Sequence, residues 1–155
     1  MAAAANATPF TAFNFLVEIT LGSSPEKLCD AAFAECDGLE ATLDARAIHE
    51  GGRNSGPVLR AGVVAYSQLT LRRGMSSNAD LWTWFERVAG GERGLRASVE
   101  VVMMAADRAT EQTRFVLTGC VPIKLRAPAL NARDGLLAVE EIQIAYESLT
   151  RRKPQ

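Results

Sequence analysis

The side chains that could perform acid–base chemistry are few in this chain of 155 residues. Its single histidine, His49, precedes Glu50, and such a pair can act as a general base and the carboxylate that orients it. The sequence offers no second histidine, no nucleophile motif and no metal-ligand set to complete a catalytic site. We therefore interpret the pair as polar residues at a strand end and predict no enzymatic activity and no catalytic residue.

Two other features resemble cofactor or metal sites without having the spacing that those sites require. The glycine-rich segment 50–57 lacks the G-x-x-x-x-G-K-[ST] order, and no predicted helix follows it to bind a phosphate. The three cysteines, Cys29, Cys36 and Cys120, are an odd number without zinc-site spacing. We expect no cofactor and no metal, and we interpret the cysteines as small buried hydrophobic residues.

Charged residues give no sign of a polyanion-binding surface. The formal net charge is −1, which predicts no general attraction to nucleic acid or to an anionic membrane. Two short basic clusters, 72–73 and 151–153, are interpreted as a solvated strand end and a frayed tail. Glu140 and Glu141 are adjacent on a predicted strand, so they point to opposite faces and cannot share a proton.

Length and composition predict one globular domain, residues 1–155, with a single hydrophobic core. Hydrophobic residues make up 48% of the chain and charged residues 23%, which is ordinary for such a domain. Residues 1–9 are alanine-rich and lack the basic region and apolar core of a secretory signal, so we interpret them as a flexible extension. Residues 150–155 are interpreted as a C-terminal tail, and no segment is long enough to predict a membrane span.

Alternation of apolar and polar residues predicts about six or seven β-strands. The predicted strands cover residues 13–20, 39–48, 63–73, 97–105, 113–126 and 136–149, and the second of them is a long strand with a possible break at Gly38. Pro122 lacks a ladder donor, which indicates an edge or a bulge in the fifth of these strands. In the last strand Glu141, Gln143 and Glu147 share a polar face, as expected for a surface that lines a channel or faces solvent.

One segment has the periodicity of a helix. Ser77 is a candidate cap, and Gly90–Gly91 marks the end. The apolar stripe consists of Leu81, Trp82, Phe85 and Val88. A helix of this length is marginal alone, so we expect the stripe to pack on a sheet. The elements together predict an antiparallel barrel or sandwich with one helix at its side.

The segment from His49 to Gly62 predicts a loop that is longer than an ordinary hairpin connection. It contains a dense run of turn residues: Glu50, Gly51, Gly52, Arg53, Asn54, Ser55, Gly56 and Pro57. Long ordered loops tend to make contacts, and we expect this one to do so.

An ordered set of motifs resembles one known family. The set comprises Glu50–Pro57, Leu69–Gly74, Asp80–Phe85, Pro122–Lys124, Pro128–Ala132 and Val139–Glu147. Together the motifs are similar to the tail-tube proteins of contractile phages and of phage-like contractile injection systems. The similarity extends from about Phe13 to Leu149, and the ordered set is more specific than any single motif.

The resemblance implies a fold, an assembly and partners. It implies two packed antiparallel sheets forming a β-barrel with a flanking helix, similar to haemolysin-coregulated protein. Six subunits would form a ring, and stacked rings a hollow tube inside a sheath, with a baseplate initiator at one end and cargo or DNA in the lumen. Assembly in the bacterial cytoplasm is implied, and the loop 50–57, with Arg53 pairing a carboxylate, would contact the adjacent ring.

Two alternatives remain open at this point. A tube initiator at the baseplate would have the same fold and would differ in copy number within the particle. A small β-barrel ligand-binding protein would carry a polar cluster inside the barrel, and the sequence shows only His49 as a candidate. The main tube subunit is the leading hypothesis.

Overall fold

The computed structural model describes residues 9–22, 27–52 and 54–154. The strands and the helix are, in chain order, β1 Phe15–Leu21, β2 Lys27–Ala31, β3 Glu35–Asp37, β4 Ala41–Ile48, β5 Val58–Tyr66, β6 Leu69–Gly74, α1 Asp80–Ala89, β7 Ala97–Met104, β8 Glu111–Arg126, β9 Val139–Ala145 and β10 Ser148–Arg152. Nearly all of the predicted N-terminal extension, together with Arg53, lies outside the described residues.

The strands pair in antiparallel fashion along one path with the order β2-β1-β7-β8-β9-β6-β3, and β10 pairs with β8. The first part of β8 pairs with β7 and β10, and its second part pairs with β9. We call β1, β2, β7, β10 and the first part of β8 sheet A. We call β3, β6, β9 and the second part of β8 sheet B.

Within the described part of the chain, these two sheets and the single helix confirm the mainly β class and the antiparallel pairing. Among the described strands no pairing joins β2 to β3, so the path stays open and the predicted barrel is not closed within one chain. Strands β4 and β5 form a separate two-stranded sheet. The register of β8 shifts between Pro122 and Lys124, which confirms the irregularity that the proline predicts.

A single core lies between the two sheets and the helix. Sheet A contributes Val17, Ile19, Val99, Leu117 and Cys120, and sheet B contributes Leu69, Leu71, Ile142 and Ile144. In β1, β6 and β9 these residues alternate with polar ones, which turns every second side chain inward. Burying this apolar surface is the main term that stabilises the fold.

Helix α1 begins and ends close to the predicted positions, but its start and its buried face differ from the prediction. Ala79 precedes the helix without a side-chain cap, so the Ser77 cap is wrong, and Asn78 instead accepts a hydrogen bond from the Asp80 amide. Gly90 donates its amide hydrogen to the Glu86 carbonyl and ends the helix as expected. The helix packs against β8 and β2.

The residues that anchor α1 are Leu81 and Trp84, both fully buried. Phe85 and Val88 are half-buried beside them, and Trp82 is half-buried on the flank of the stripe. The sequence prediction therefore placed Trp82 in the packed stripe, whereas the structure shows that Trp84 is the tryptophan that fills the core. At 100° per residue, position 84 lies closer than position 82 to the line through 81, 85 and 88.

Several strand boundaries also differ from prediction. The predicted strand 63–73 is two strands, because β5 begins at Val58 and ends before Ser67. The predicted strand 136–149 begins only at Val139 and breaks after Ala145, and Thr150–Arg152 belongs to β10 rather than to a tail. The short strands β2 and β3 were not predicted, since their pairing partners, not their own patterns, define them.

Candidate assembly site

The β4–β5 hairpin has almost no cover from the rest of its own chain. Its two strands make extensive contacts only with each other, and all eight residues of β4 are exposed. Leu43 is 62% exposed and Leu59 is 67% exposed. A two-stranded hairpin without a packed face is only marginally stable in water. We therefore expect the surface of another molecule to cover this hairpin.

The two faces of the hairpin differ in character. Cross-strand partners share a face, and the register places only apolar side chains on one of them. That apolar face consists of Ala41, Leu43, Ala45, Ala47, Leu59, Ala61, Val64 and Tyr66. The opposite face is mixed: it carries the polar side chains Thr42, Asp44, Arg46 and Arg60 and the apolar side chains Ile48, Val58 and Ala65. The predicted contact segment Glu50–Pro57 forms the tip that joins the strands, and the loop is shorter than the predicted His49–Gly62 because β5 begins at Val58.

Tyr146 fastens the hairpin to the body. Its hydroxyl donates to the Gly38 carbonyl at 2.7 Å and accepts from the Glu40 amide at 3.3 Å. Its ring lies 5.5 Å from the ring of Tyr66, the last residue of the apolar face. Burial raises the pKa of Tyr146, so the hydroxyl remains a proton donor at neutral pH. The apolar face of the hairpin thus meets the core at its root.

Gly38 is required at this root, and replacing it with alanine should destabilise the protein. Its φ of +94° costs a non-glycine residue about 1–3 kcal/mol, and a Cβ there would lie 1.9 Å from the Gln68 carbonyl oxygen. Gly52→Ala is the matched control, because Gly52 has a φ of +93° with open space around it. Urea unfolding should show a clearly larger loss for Gly38→Ala, and equal losses would contradict the backbone overlap.

The exposed face of sheet B is charged, and it includes two of the three predicted channel residues. Arg72 donates to Glu141 at 2.7 Å and to Glu35 at 2.6 Å, and the bond from Arg72 holds the pKa of Glu141 below its ordinary value. Gln143 lies on the same face. Glu147 does not, because it occupies the bend after β9 and lies over Gly119.

The end of sheet B away from the hairpin exposes bulky apolar side chains. Gly74 pairs with Val139 at this end, whereas Leu69 pairs with Ile144 at the hairpin end. The segment 127–138 precedes Val139 and carries Leu130, Leu136 and Leu137, which are 90%, 83% and 80% exposed. We call these three leucines, with Met75 and Val139, the leucine end. So much exposed apolar surface is typical of an interaction site.

A buried ion pair lies just inside the leucine end. Arg73 donates to Glu140 at 2.5 Å, and the two side chains are only 5% and 1% exposed. Trp82 donates its indole N–H to the other Glu140 oxygen at 3.0 Å, and Arg73 also contacts Cys29 Sγ at 3.2 Å. The guanidinium lies over the Phe33 ring. The interpretation of 72–73 as solvated is therefore wrong for Arg73, because the pair joins β2, β6, β9 and α1.

The remaining candidates for chemistry do not converge on a site. None of the three cysteines forms a disulfide with another described cysteine, and burial raises the pKa of Cys120 to about 12 and that of Cys36 to about 11, so neither of these two thiols is reactive at neutral pH. His49 is exposed beside the hairpin tip. Within the described residues no group of three or more His, Cys, Asp or Glu side chains could hold a metal ion. Arg151 hydrogen-bonds Thr113 within the fold rather than fraying.

Comparison with known protein families identifies the family to which this chain belongs. Residues 11–150 match the family described as T4-like virus tail tube protein gp19. The chain belongs to this family. The resemblance seen in the ordered motifs is thereby confirmed, and so is the structural, tail-tube function that it implied. No curated protein sequence matches the chain significantly.

Solved structures share the fold of this tail tube protein. A chain of the anti-feeding prophage (AFP) baseplate matches with a TM-score of 0.82 at 24% identity, covering 95% of this chain and 97% of that one. A chain of the sheath–tube complex of the PVC extracellular contractile injection system matches with a TM-score of 0.79 at 17% identity, covering 96% and 94%.

A more distant match concerns the predicted similarity to haemolysin-coregulated protein. The Hcp1 protein from the E. coli EAEC 042 pathovar matches with a TM-score of 0.51 at 10% identity, covering 90% of this chain and 97% of that one. The similarity extends to the fold alone. Among the described helices, none has the length and apolar character needed to cross a membrane.

Proposed function

We propose that this tail tube protein is the main subunit of the inner tube of a contractile particle, either a phage tail or a phage-like injection system. Copies close into six-membered rings, rings stack into a hollow tube, and contraction of a surrounding sheath drives the tube through a target envelope. The observation that carries this proposal is the β4–β5 hairpin, whose apolar face beyond Tyr66 is left exposed by the described residues of its own chain.

Ring closure follows from the open edges of the sheets. The described path ends at β2 and β3, and unpaired edges are a liability that pairing with a neighbour removes. A contact between two different surfaces, repeated around an axis, closes into a ring. The continuous β-lined wall that results corresponds to the closed barrel that one chain does not form. Glu141 and Gln143 would then face the lumen, where cargo or DNA travels.

The hairpin is proposed as the contact between adjacent rings. The tip segment Glu50–Pro57 extends the element, but the exposed surface runs along the whole length of β4 and β5. The contact therefore includes the apolar face as well as the tip. The sheath protein and a baseplate initiator are the further partners, and assembly takes place in the bacterial cytoplasm. The baseplate and sheath–tube complexes that contain chains of this fold support these partners.

Shortening the hairpin tests the proposal. Replacing residues 42–65 with an Asn-Gly turn keeps the Ala41–Tyr66 pair and supplies a turn that suits a two-residue hairpin. The variant should stay folded, with a β-rich circular dichroism spectrum and cooperative unfolding, because the removed side chains lie outside the core. Produced together with the other proteins of its particle, it should form no tubes in electron micrographs.

The matched control is Thr42→Ser, which keeps the length and register of the hairpin and should assemble like the parent chain. Tubes of ordinary length from the shortened chain would overturn the hairpin as the stacking element. A parent chain that remains monomeric even in the presence of its sheath and baseplate proteins would overturn the tube proposal itself.

A further inference from the structure

The hairpin and the leucine end lie at opposite ends of the same sheet. β5 leads into β6 with only Ser67 and Gln68 between them, so the hairpin root lies at the Leu69 end. The leucine end lies at the other end of β6, beside Gly74, where a Cβ would touch Leu137. The six residues of β6 separate the two surfaces by about 20 Å along the strand.

The described residues of the chain leave both surfaces largely uncovered. Leu43 and Leu59 on the hairpin and the three leucines of segment 127–138 are all largely exposed. The hairpin leaves sheet B at the end opposite to the leucines, so it does not fold back over them. Each surface needs a cover from another molecule, since exposed apolar patches of a few hundred Å² on a soluble chain mark interaction sites.

The two surfaces differ in the size of their side chains. Four alanines on the apolar face of the hairpin, Ala41, Ala45, Ala47 and Ala61, leave shallow places between the larger side chains. The leucine end presents projecting side chains from a loop shaped by Asn131, whose side chain donates to Asp134 and accepts from the Arg133 amide. Bulky residues opposite small ones interdigitate, as they do in well-packed interiors.

We infer that the apolar face of the hairpin of one copy packs on the leucine end of the next copy along the tube. The occupant of each surface is therefore a second copy of this chain. A contact between opposite ends of one sheet is head-to-tail, and such a contact repeats without limit along an axis. The eight residues of β4 extend about 25 Å, which is long enough to overlap the end of a neighbouring subunit.

This arrangement assigns the two faces of the hairpin different roles. The apolar face is buried against the neighbouring copy, and the face with Asp44, Arg46 and Arg60 remains in contact with water. Arg46 and Arg60 are direct cross-strand partners. Like charges in that position repel each other unless water or a counter-ion screens them, so the middle of this face is unsuited to an apolar contact, although Ile48 and Val58 pair on the same face near the tip. The inference rests on the proposed tube and adds the surface on which the hairpin docks.

Cysteine cross-linking in assembled particles tests the contact. The test chain carries Leu43→Cys and Leu137→Cys with Cys36→Ser, which removes the only partly exposed thiol among the three native cysteines. Both new cysteines replace exposed residues, so the fold should persist. After treatment of tubes with a short bismaleimide, denaturing gels should show a ladder of covalent multimers, because each copy links to the next.

The matched control moves one cysteine to the other hairpin face, as Asp44→Cys with Leu137→Cys in the same background. It should remain mostly monomeric on the gel. A ladder of equal strength from this control, or no ladder from the test chain in intact tubes, would overturn the inference while leaving the tube proposal in place. Failure of the parent chain to form tubes would instead count against the tube proposal.

Discussion

Trp84→Ala is expected to remove a large part of the stability of the isolated chain. Trp84 is fully buried, and truncating a buried tryptophan costs about 3–5 kcal/mol because a cavity remains. Domains of this kind have only about 5–15 kcal/mol in total. The helix would also lose one of its two fully buried anchors to the sheet. Urea denaturation followed by circular dichroism should show a large shift of the midpoint toward lower urea.

Trp82→Phe is the matched comparison for this experiment. Trp82 is half-buried and keeps most of its packing as phenylalanine, but it loses the N–H that bonds Glu140. The loss of a hydrogen bond to a charged group costs about 1.5–3 kcal/mol, so the shift should be smaller than for Trp84→Ala. A larger loss for the Trp82 variant would show that Trp82, as the stripe pattern predicts, anchors the helix.

Arg73→Met should destabilise the chain by about 3–5 kcal/mol, because it leaves the Glu140 carboxylate buried without its partner. Removing both charges avoids that penalty, and well-packed apolar replacements of buried ion pairs are often neutral. The double variant Arg73→Met with Glu140→Leu should therefore recover much of the loss. Both variants are measured by urea denaturation.

Comparing the single and double variants shows whether Arg73 and Glu140 stabilise the chain as an ion pair or only through packing. If the double variant is as unstable as the sum of the two single variants, the residues do not act as a pair. Glu140→Leu alone provides the second edge of that cycle, and it should be costly because Arg73 is then buried unpaired. The indole N–H of Trp82 loses its acceptor in both variants with leucine, which sets an upper limit on the recovery.

The sequence could predict the elements whose pattern is local. β1, β7 and β8 alternate clearly, and α1 has a regular apolar stripe with a glycine at its end. β2 and β3 are short and are defined by pairing with strands far away in the chain, so no local pattern indicated them. Residues 136–138 were predicted to be part of a strand because Leu136 and Leu137 have the character of core residues. The structure exposes both of these side chains.

The candidate surfaces were predictable only in part. A loop around Glu50–Pro57 was expected to make contacts, but the long hairpin that carries it was divided among two predicted strands, 39–48 and 63–73, and the predicted loop between them. The alternation of alanine with charged residues in β4 was visible, yet only the register with β5 shows that one face is wholly apolar. The burial of Arg73 was not predictable, since its partner lies 67 residues further along the chain.

The placement of unlike surfaces at the two ends of sheet B has a consequence for the finished tube. Under the proposed contact between the hairpin and the leucine end, a stack of such chains is polar: free hairpins project from one terminus, and uncovered leucines remain at the other. Proteins that start the stack and proteins that stop it must therefore recognise different chemistry, one a projecting ribbon and the other a row of bulky side chains. Growth of the tube then has a direction built into each subunit.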